Sequence, residues 1–394
     1  MNRKILFIAV LGSVLFACQP VTAQKIPFFF EGHLYLDGII NGRDSGHFIM
    51  DTGADGLYLD SLFYSRMGTR FTRVAHGMLP GVGEGVQEVT ILLDTVVNDL
   101  NGFSCKTPRS VVMNLKSIVG CRADGMIGIS FFLKKIVEIN YSNRFIRISD
   151  QSKADDLSDY QRIAIKLTGN RIYIPLKVAL SKDIKVEGDF LLDLGSASAI
   201  SLTSKTAAAL DLAARMDKPG MHIVNRQGGA GGMSERVDIR AHSVTFGTLT
   251  LDNLVAQYSL DKAGALASDK YKGLVGNELL KHFDLVIDFP NKILYYKPGK
   301  EFSKPFVSNR LGFQYADRSD IAGGWIVNGI YNPSAARSAG LQTGDVITMI
   351  KGKAVAGITR EQVSKELDTS PSISLTVKRN GKTILLEYAV KETI

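Results

Sequence analysis

The chain reads as mainly β, built from two similar lobes and followed by a smaller module that mixes strands with helices. Three observations carry this reading. The acidic turn Asp51-Thr52-Gly53-Ala54 is echoed by Asp193-Leu194-Gly195-Ser196, and each follows an apolar run, Phe48-Ile49-Met50 or Phe190-Leu191-Leu192. One such turn would mean little, because Asp and Gly are ordinary turn residues. The echo, however, continues through Asp124-Gly125-Met126-Ile127-Gly128 and Lys272-Gly273-Leu274-Val275-Gly276. From there both copies run without a gap to Ile139-Asn140-Tyr141-Ser142-Asn143-Arg144 and Ile287-Asp288-Phe289-Pro290-Asn291-Lys292. Finally, short apolar or alternating runs such as His33-Leu34-Tyr35-Leu36 and Val89-Thr90-Ile91-Leu92-Leu93 are punctuated by Gly, Asn and Asp, as strands are.

Taken in order, residues 1–23 look like an export segment. Arg3-Lys4 precede an uncharged apolar stretch from Ile5 to Ala17, too short for a stable span and shaped like a secretory signal. Val21-Thr22-Ala23 before Gln24 is a small-residue cleavage site. Leu15-Phe16-Ala17-Cys18 is the alternative, a lipobox in which Cys18 would be lipidated and tether the chain to a membrane; the bulk of Phe16 favours simple cleavage. Either route places the mature chain outside the cytoplasm, in the periplasm, the cell envelope or the extracellular medium. Lobe 1 then spans 24–150. The polar stretch at 151–161 reads as a linker, and lobe 2 spans 162–300, with strand character at Arg171-Ile172-Tyr173-Ile174-Pro175-Leu176. Helices are few, one after each acidic turn, for example Ser204 to Ala214.

A second linker, 301–310, leads to a module at 311–394. Asn332-Pro333-Ser334-Ala335-Ala336-Arg337-Ser338-Ala339-Gly340 predicts a short helix closed by Gly. Thr359-Arg360-Glu361-Gln362 predicts a capping box opening a helix whose Val363 and Leu367 share a face. Asn380-Gly381 predicts the turn of a final hairpin.

The 394 residues carry 45% apolar and 22% charged side chains and a net charge of +8, typical of a globular protein. Removing 1–23 would lower the charge to +6. The basic residues are scattered, without aromatic interleaving, so nucleic-acid binding has no support. The six histidines, at 33, 47, 76, 222, 242 and 282, show no paired ligand spacing, and neither a metal nor a cofactor is expected. Cys105 and Cys121 form an even pair in an exported chain. A disulfide between them would contribute roughly 3 kcal/mol, and two buried thiols are the other reading.

The paired acidic turns suit one chemistry above others. Splitting an amide without a covalent intermediate needs a base to deprotonate water and an acid to protonate the leaving nitrogen. Two carboxylates about 3 Å apart share a proton, so one serves each role. Glycine at the third position of each turn lets backbone and carboxylate approach closely. Over residues 25–300 the chain resembles the pepsin-like and retropepsin-like aspartic peptidases, most specifically at Asp51-Thr52-Gly53-Ala54-Asp55. The resemblance implies two β-barrel lobes around one active-site cleft, with Asp51 and Asp193 as the catalytic pair. It implies that Thr52 braces the pair, that Gly53 and Gly195 support it, and that Ser196 hydrogen-bonds the Asp of its own lobe. Asp55 would contact the substrate backbone. The Gly-rich stretch Gly77 to Gly85, with Gly81 and Gly83 facing substrate, would form a flap; Gly228 to Gly232 is a second hairpin or simply a long turn. One position departs from the family, which expects Thr or Ser where Leu194 stands. That removes half of an interlobe lock, a loss of about 0.5–1.5 kcal/mol.

The module at 311–394 resembles a PDZ domain, through Pro333-Ser334-Ala335-Ala336, Ala339-Gly340-Leu341 and Gly344-Asp345-Val346-Ile347. That implies a loop, Leu311-Gly312-Phe313, whose amides receive the carboxylate of a peptide or protein C-terminus, the peptide adding as a strand alongside. The expectation is an exported, monomeric aspartic endopeptidase acting on polypeptides. The alternative is a weak or inactive pseudo-peptidase that binds polypeptides.

Overall fold

The computed structural model describes residues 24–150, 157–216, 220–368 and 370–394. The expected export segment 1–23 with Cys18, and residues 151–156 of the expected linker, lie outside the described residues. The chain is mainly β. Strands Lys25–Phe30, Leu34–Ile40 and Asp44–Asp51 form an antiparallel meander, with Phe28 opposite Leu36 and Leu36 opposite Phe48. Strand Gly125–Gly128 inserts parallel to Asp44–Asp51 and antiparallel to Leu57–Asp60. Asp51 therefore ends a strand flanked on both sides, which is why Phe48, Ile49 and Met50 are all buried.

The second half repeats the plan. Ile172–Ala179 pairs antiparallel with Lys185–Leu192, and Gly273–Val275 inserts between Lys185–Leu192 and Ile200–Leu202. The halves join where Ile136–Asn140 pairs antiparallel with Phe283–Asp288, with Val137 opposite Ile287 and Ile139 opposite Leu285. Ile139 and Ile287 are equivalent in the sequence repeat, so each copy of this strand pairs with the other about a local twofold axis. One hydrophobic core runs through both halves, from Leu36, Phe48 and Ile127 to Phe190, Leu194 and Val275.

Each acidic turn is followed by a capped helix. Asp60 caps Ser61–Arg66 by accepting from the Leu62 and Phe63 amides. Thr203 caps Ser204–Ala209. The single helix expected from Ser204 to Ala214 is broken, because Asp211 adopts a left-handed conformation (φ 50°) before Leu212–Arg215 begins. A carboxylate side chain tolerates that conformation better than most.

The C-terminal module has its own core of Phe313, Trp325, Ile347, Val363, Leu375 and Val377. Its sheet runs in the order Phe313–Asp317, Trp325–Ile330, Val346–Ile350, Ser372–Arg379, Lys382–Ala389, leaving Phe313–Asp317 at an edge. The expected capping box forms: the Thr359 amide donates to Gln362 Oε1, and the Gln362 amide to Thr359 Oγ1, opening helix Arg360–Asp368. The Asn380-Gly381 turn closes the last hairpin with both residues at positive φ, as a two-residue hairpin turn demands. The module rests on strand Met221–Gly229 through Tyr331, which is fully buried with Met221 and Ile223. Its hydroxyl donates to Asp238 (2.6 Å) and accepts from Arg236 and Gln314.

The Cys105–Cys121 bridge does not form, since Cys121 carries a free thiol. Cys105 is buried in strand Phe103–Thr107, whereas Cys121 lies against the C-terminal module with its amide bonded to the Asp317 carbonyl. No helix among the described residues is long and apolar enough to cross a membrane.

Candidate active site

The two acidic turns meet head to head. Gly53 N–H donates to Asp51 Oδ1 (2.6 Å) and Gly195 N–H to Asp193 Oδ1 (2.9 Å), so each carboxylate is aimed by its own turn. The carboxyls of Asp51 and Asp193 hydrogen-bond one another. The approach is reciprocal. A side chain on Gly53 would begin 2.7 Å from Asp193 Oδ1, and one on Gly195 would fall on the Asp51 carboxylate. Only glycine fits at either position.

Burial pushes both acids above the ordinary carboxylate range, and the two differ in degree. Asp193 is raised further, because the neighbouring Asp51 charge adds to its desolvation. In Asp51 the desolvation is opposed by the Gly53 amide, the hydrogen bond to Asp193 and the Arg171 charge. Buried carboxyls this close share one proton, so one member of the pair is ionised while the other is protonated.

Thr52, fully buried, braces the pair across the halves. Its hydroxyl donates to the Leu192 carbonyl (2.7 Å) and accepts from the Leu194 amide (3.0 Å). Leu194 offers no reciprocal hydroxyl; its side chain is wholly buried in the shared core. A different bridge stands on that side. Asn277 Nδ2 donates to the Leu194 carbonyl (2.6 Å), and Tyr141, from the first half, donates to Asn277 Oδ1 (2.7 Å). The sequence signal for it is an amide directly after the repeated strand, Val275-Gly276-Asn277, where the first copy has the apolar Ile129; the structure buries that amide completely.

Two expectations are corrected. Ser196 reaches Asp193 through its backbone, the amide donating to the Asp193 carbonyl (3.1 Å), and not through its hydroxyl. Its hydroxyl pairs with Ser198 (2.8 Å), which continues to Ser201 and Gln257, because a second hydroxyl two residues on lies closer to hand. Gly81 and Gly83 meet the second hairpin rather than open space for substrate. The hairpin Val74–Pro80/Val86–Leu92 and the hairpin Met221–Gly229/Gly232–Phe246 interlock at their tips. Gly231 N–H donates to the Val82 carbonyl and Gly85 N–H to the Gly231 carbonyl, both at 2.8 Å. Gly83 (φ 102°) could carry no side chain, which would begin 2.8 Å from the Gly231 carbonyl carbon. The tips of both hairpins thus meet each other. Val82 packs against the cluster holding Leu191, two residues before Asp193, and Ala230 against the cluster holding Ile49, two residues before Asp51.

Asp55 is committed across the halves, accepting from Arg171 Nη1 at 2.6 Å. The same guanidinium lowers the pKa of both Asp51 and Asp193. Replacing Arg171→Gln is expected to shift both limbs of any pH–activity profile to higher pH, because both acids lose a neighbouring cation. A profile that keeps its limbs in place while only its height changes would contradict this role.

In the C-terminal module, Leu311 and Phe313 are buried and Gly312 takes φ 79°. The Gly312 amide already donates to Asn309 Oδ1 (2.8 Å).

Among solved structures the chain is similar to a crystal structure of an aspartic proteinase from Irpex lacteus, at 12% sequence identity and a TM-score of 0.44, over 72% of this chain and 99% of that one. No curated protein matches. Residues 301–378 match the PDZ domain family, and the C-terminal module of this chain is a PDZ domain, a fold that binds peptides and proteins.

Proposed function

We propose that this protein is an exported aspartic endopeptidase with a bilobal, pepsin- or retropepsin-like architecture, working as a monomer because one chain supplies both acids. The observation that carries the reading is the reciprocal approach of Asp51 and Asp193, each glycine leaving room for the opposite carboxylate. In the reaction, ionised Asp51 takes a proton from a water whose oxygen attacks the scissile carbonyl. Protonated Asp193 gives its proton to the leaving nitrogen as the C–N bond breaks. The proton gained by Asp51 then returns to Asp193, restoring the pair. The apolar clusters running from Ile49 and Leu191 to the hairpin tips favour apolar residues on either side of the cleaved bond.

Leu194 favours a second reading, a polypeptide-binding pseudo-peptidase, and the Asn277–Tyr141 bridge weighs against it by securing the turn without a second hydroxyl. Cleavage of a denatured protein, followed across pH, separates the two. Asp51→Asn and Asp193→Asn are each expected to lose about 10²–10⁴-fold in rate, the usual contribution of a positioned acid or base. Equal residual cleavage in wild type and both variants would rule out the acid pair.

A further inference from the structure

A peptide joining the PDZ sheet would lie between the edge strand Phe313–Asp317 and helix Arg360–Asp368. The chain already engages this groove from both ends. At the far end of the strand, Cys121 N–H donates to the Asp317 carbonyl at 2.7 Å. Across from it, the Glu31 carboxylate receives the Arg360 amide at 3.0 and 3.2 Å. Tyr315, midway along the strand, feels both Glu31 and Arg360 and stacks on Trp325 at 4.0 Å. At the loop end, Asn309 holds the Gly312 amide, while Arg310 spans to the Ser364 carbonyl (3.2 Å) and to Asp368 (2.7 Å).

The lobe-1 turn in this groove also touches the second acidic turn. A side chain on Gly32 would begin 2.6 Å from Arg360 Nη1 and 3.3 Å from Ala197 Cβ. His33, the last residue of this turn, is buried, and desolvation pushes its pKa down to about 3, so the ring is neutral. Gly32 thus stands between the PDZ helix and the second acidic turn, against Arg360 on one side and Ala197, directly after Ser196, on the other.

We propose that the turn Glu31–His33 is the resident occupant of the PDZ groove, that a peptide C-terminus entering the groove competes with it, and that the exchange is felt at the second acidic turn. An incoming carboxylate takes the Gly312 amide from Asn309, and its upstream residues claim the strand edge now held by Cys121 and the space beside Glu31. The catalytic part of this proposal rests on the peptidase reading above; the competition itself does not.

The test uses full-length protein carrying Asp51→Asn, so that no probe is cleaved. A fluorescein-labelled hexapeptide ending in leucine with a free carboxylate is titrated by polarisation, with its C-terminal amide as control. Adding Glu31→Gln is expected to tighten binding of the carboxylate peptide roughly fivefold, because the binding-competent groove is no longer shared with a charge-assisted internal contact. Glu31→Asp is expected to restore competition in part. Trp325, the single tryptophan of the chain, should change its emission in the same titrations. Melting curves check that each variant is folded. Equal affinity with and without Glu31, no binding in either protein, or equal binding of the amide would overturn the proposal. With Asp51 intact, saturating peptide is expected to lower kcat severalfold with KM little changed. If the chain cleaves nothing, that arm falls with the peptidase reading while the binding arm still decides the competition.

Discussion

Asp193→Asn protein is expected to melt at a higher temperature than wild type at pH 8 while losing its cleavage activity. Asp193 sits in the folded chain with its pKa raised well above the ordinary value, by desolvation first and the Asp51 charge second. A carboxyl raised in this way contributes stability that is fully present below its unfolded pKa and is lost as pH rises through its folded pKa. On the alkaline side the wild type must therefore hold two charges in one partly dehydrated crevice, or unfold to release them. Asparagine carries no charge, and its amide can still donate to the Asp51 carboxylate. The gain at pH 8 should be on the order of 2 kcal/mol, or a few degrees in Tm, and should shrink as pH falls toward the carboxylate range. Melting curves at pH 5 and pH 8 test this. If wild type and variant show the same pH dependence, the acids are not coupled as described.

Thr52→Val is expected to be among the most destabilising single changes in the chain. Valine matches threonine in shape, so packing is preserved, but the Leu192 carbonyl and the Leu194 amide both lose their partner in a fully buried setting. Leaving a buried polar group unpaired costs roughly 1–3 kcal/mol, so the two together should cost about 2–5 kcal/mol. Activity should fall as well, because the hydroxyl fixes the second turn relative to the first. Thr52→Ser, which keeps the hydroxyl, should recover most of both losses; chemical denaturation measures the stability and peptide cleavage the rate. If Thr52→Ser behaves like Thr52→Val, the methyl group rather than the hydrogen bonds carries the role.

The two acidic turns were legible because duplication writes the same local instruction twice: a buried strand, a carboxylate, a glycine. The PDZ elements were legible for a related reason. Capping at Thr359 and Gln362 and the turn at Asn380-Gly381 are settled by neighbours in sequence. Less could be read where a contact joins distant parts of the chain. Tyr141 and Asn277 lie 136 residues apart, and neither position announces the other. The same holds for Arg171 with Asp55 and for Glu31 with Arg360. The family resemblance gave the Ser196 hydroxyl to the Asp of its own lobe, yet hydroxyls compete locally and it pairs with Ser198. An even number of cysteines suggested a bridge, but parity carries no distance information, and Cys121 proved to lie at the PDZ boundary. Gly228 to Gly232 could be read as a hairpin or as a long turn; what it meets, the opposite tip, to which it donates and from which it accepts, could not be read.

Because the halves are covalently tethered and pair about a local twofold through Ile139 with Leu285 and Val137 with Ile287, a replacement here alters one side of the crevice alone. In an assembly of two identical chains the same change would appear twice. Leucine at 194 is tolerable on this account, since Thr52 still holds its amide from the other half and the Asn277–Tyr141 bridge holds its carbonyl. Fusion in this way lets the surroundings of the two acids diverge, as the different partners of Thr52 and Leu194 already show.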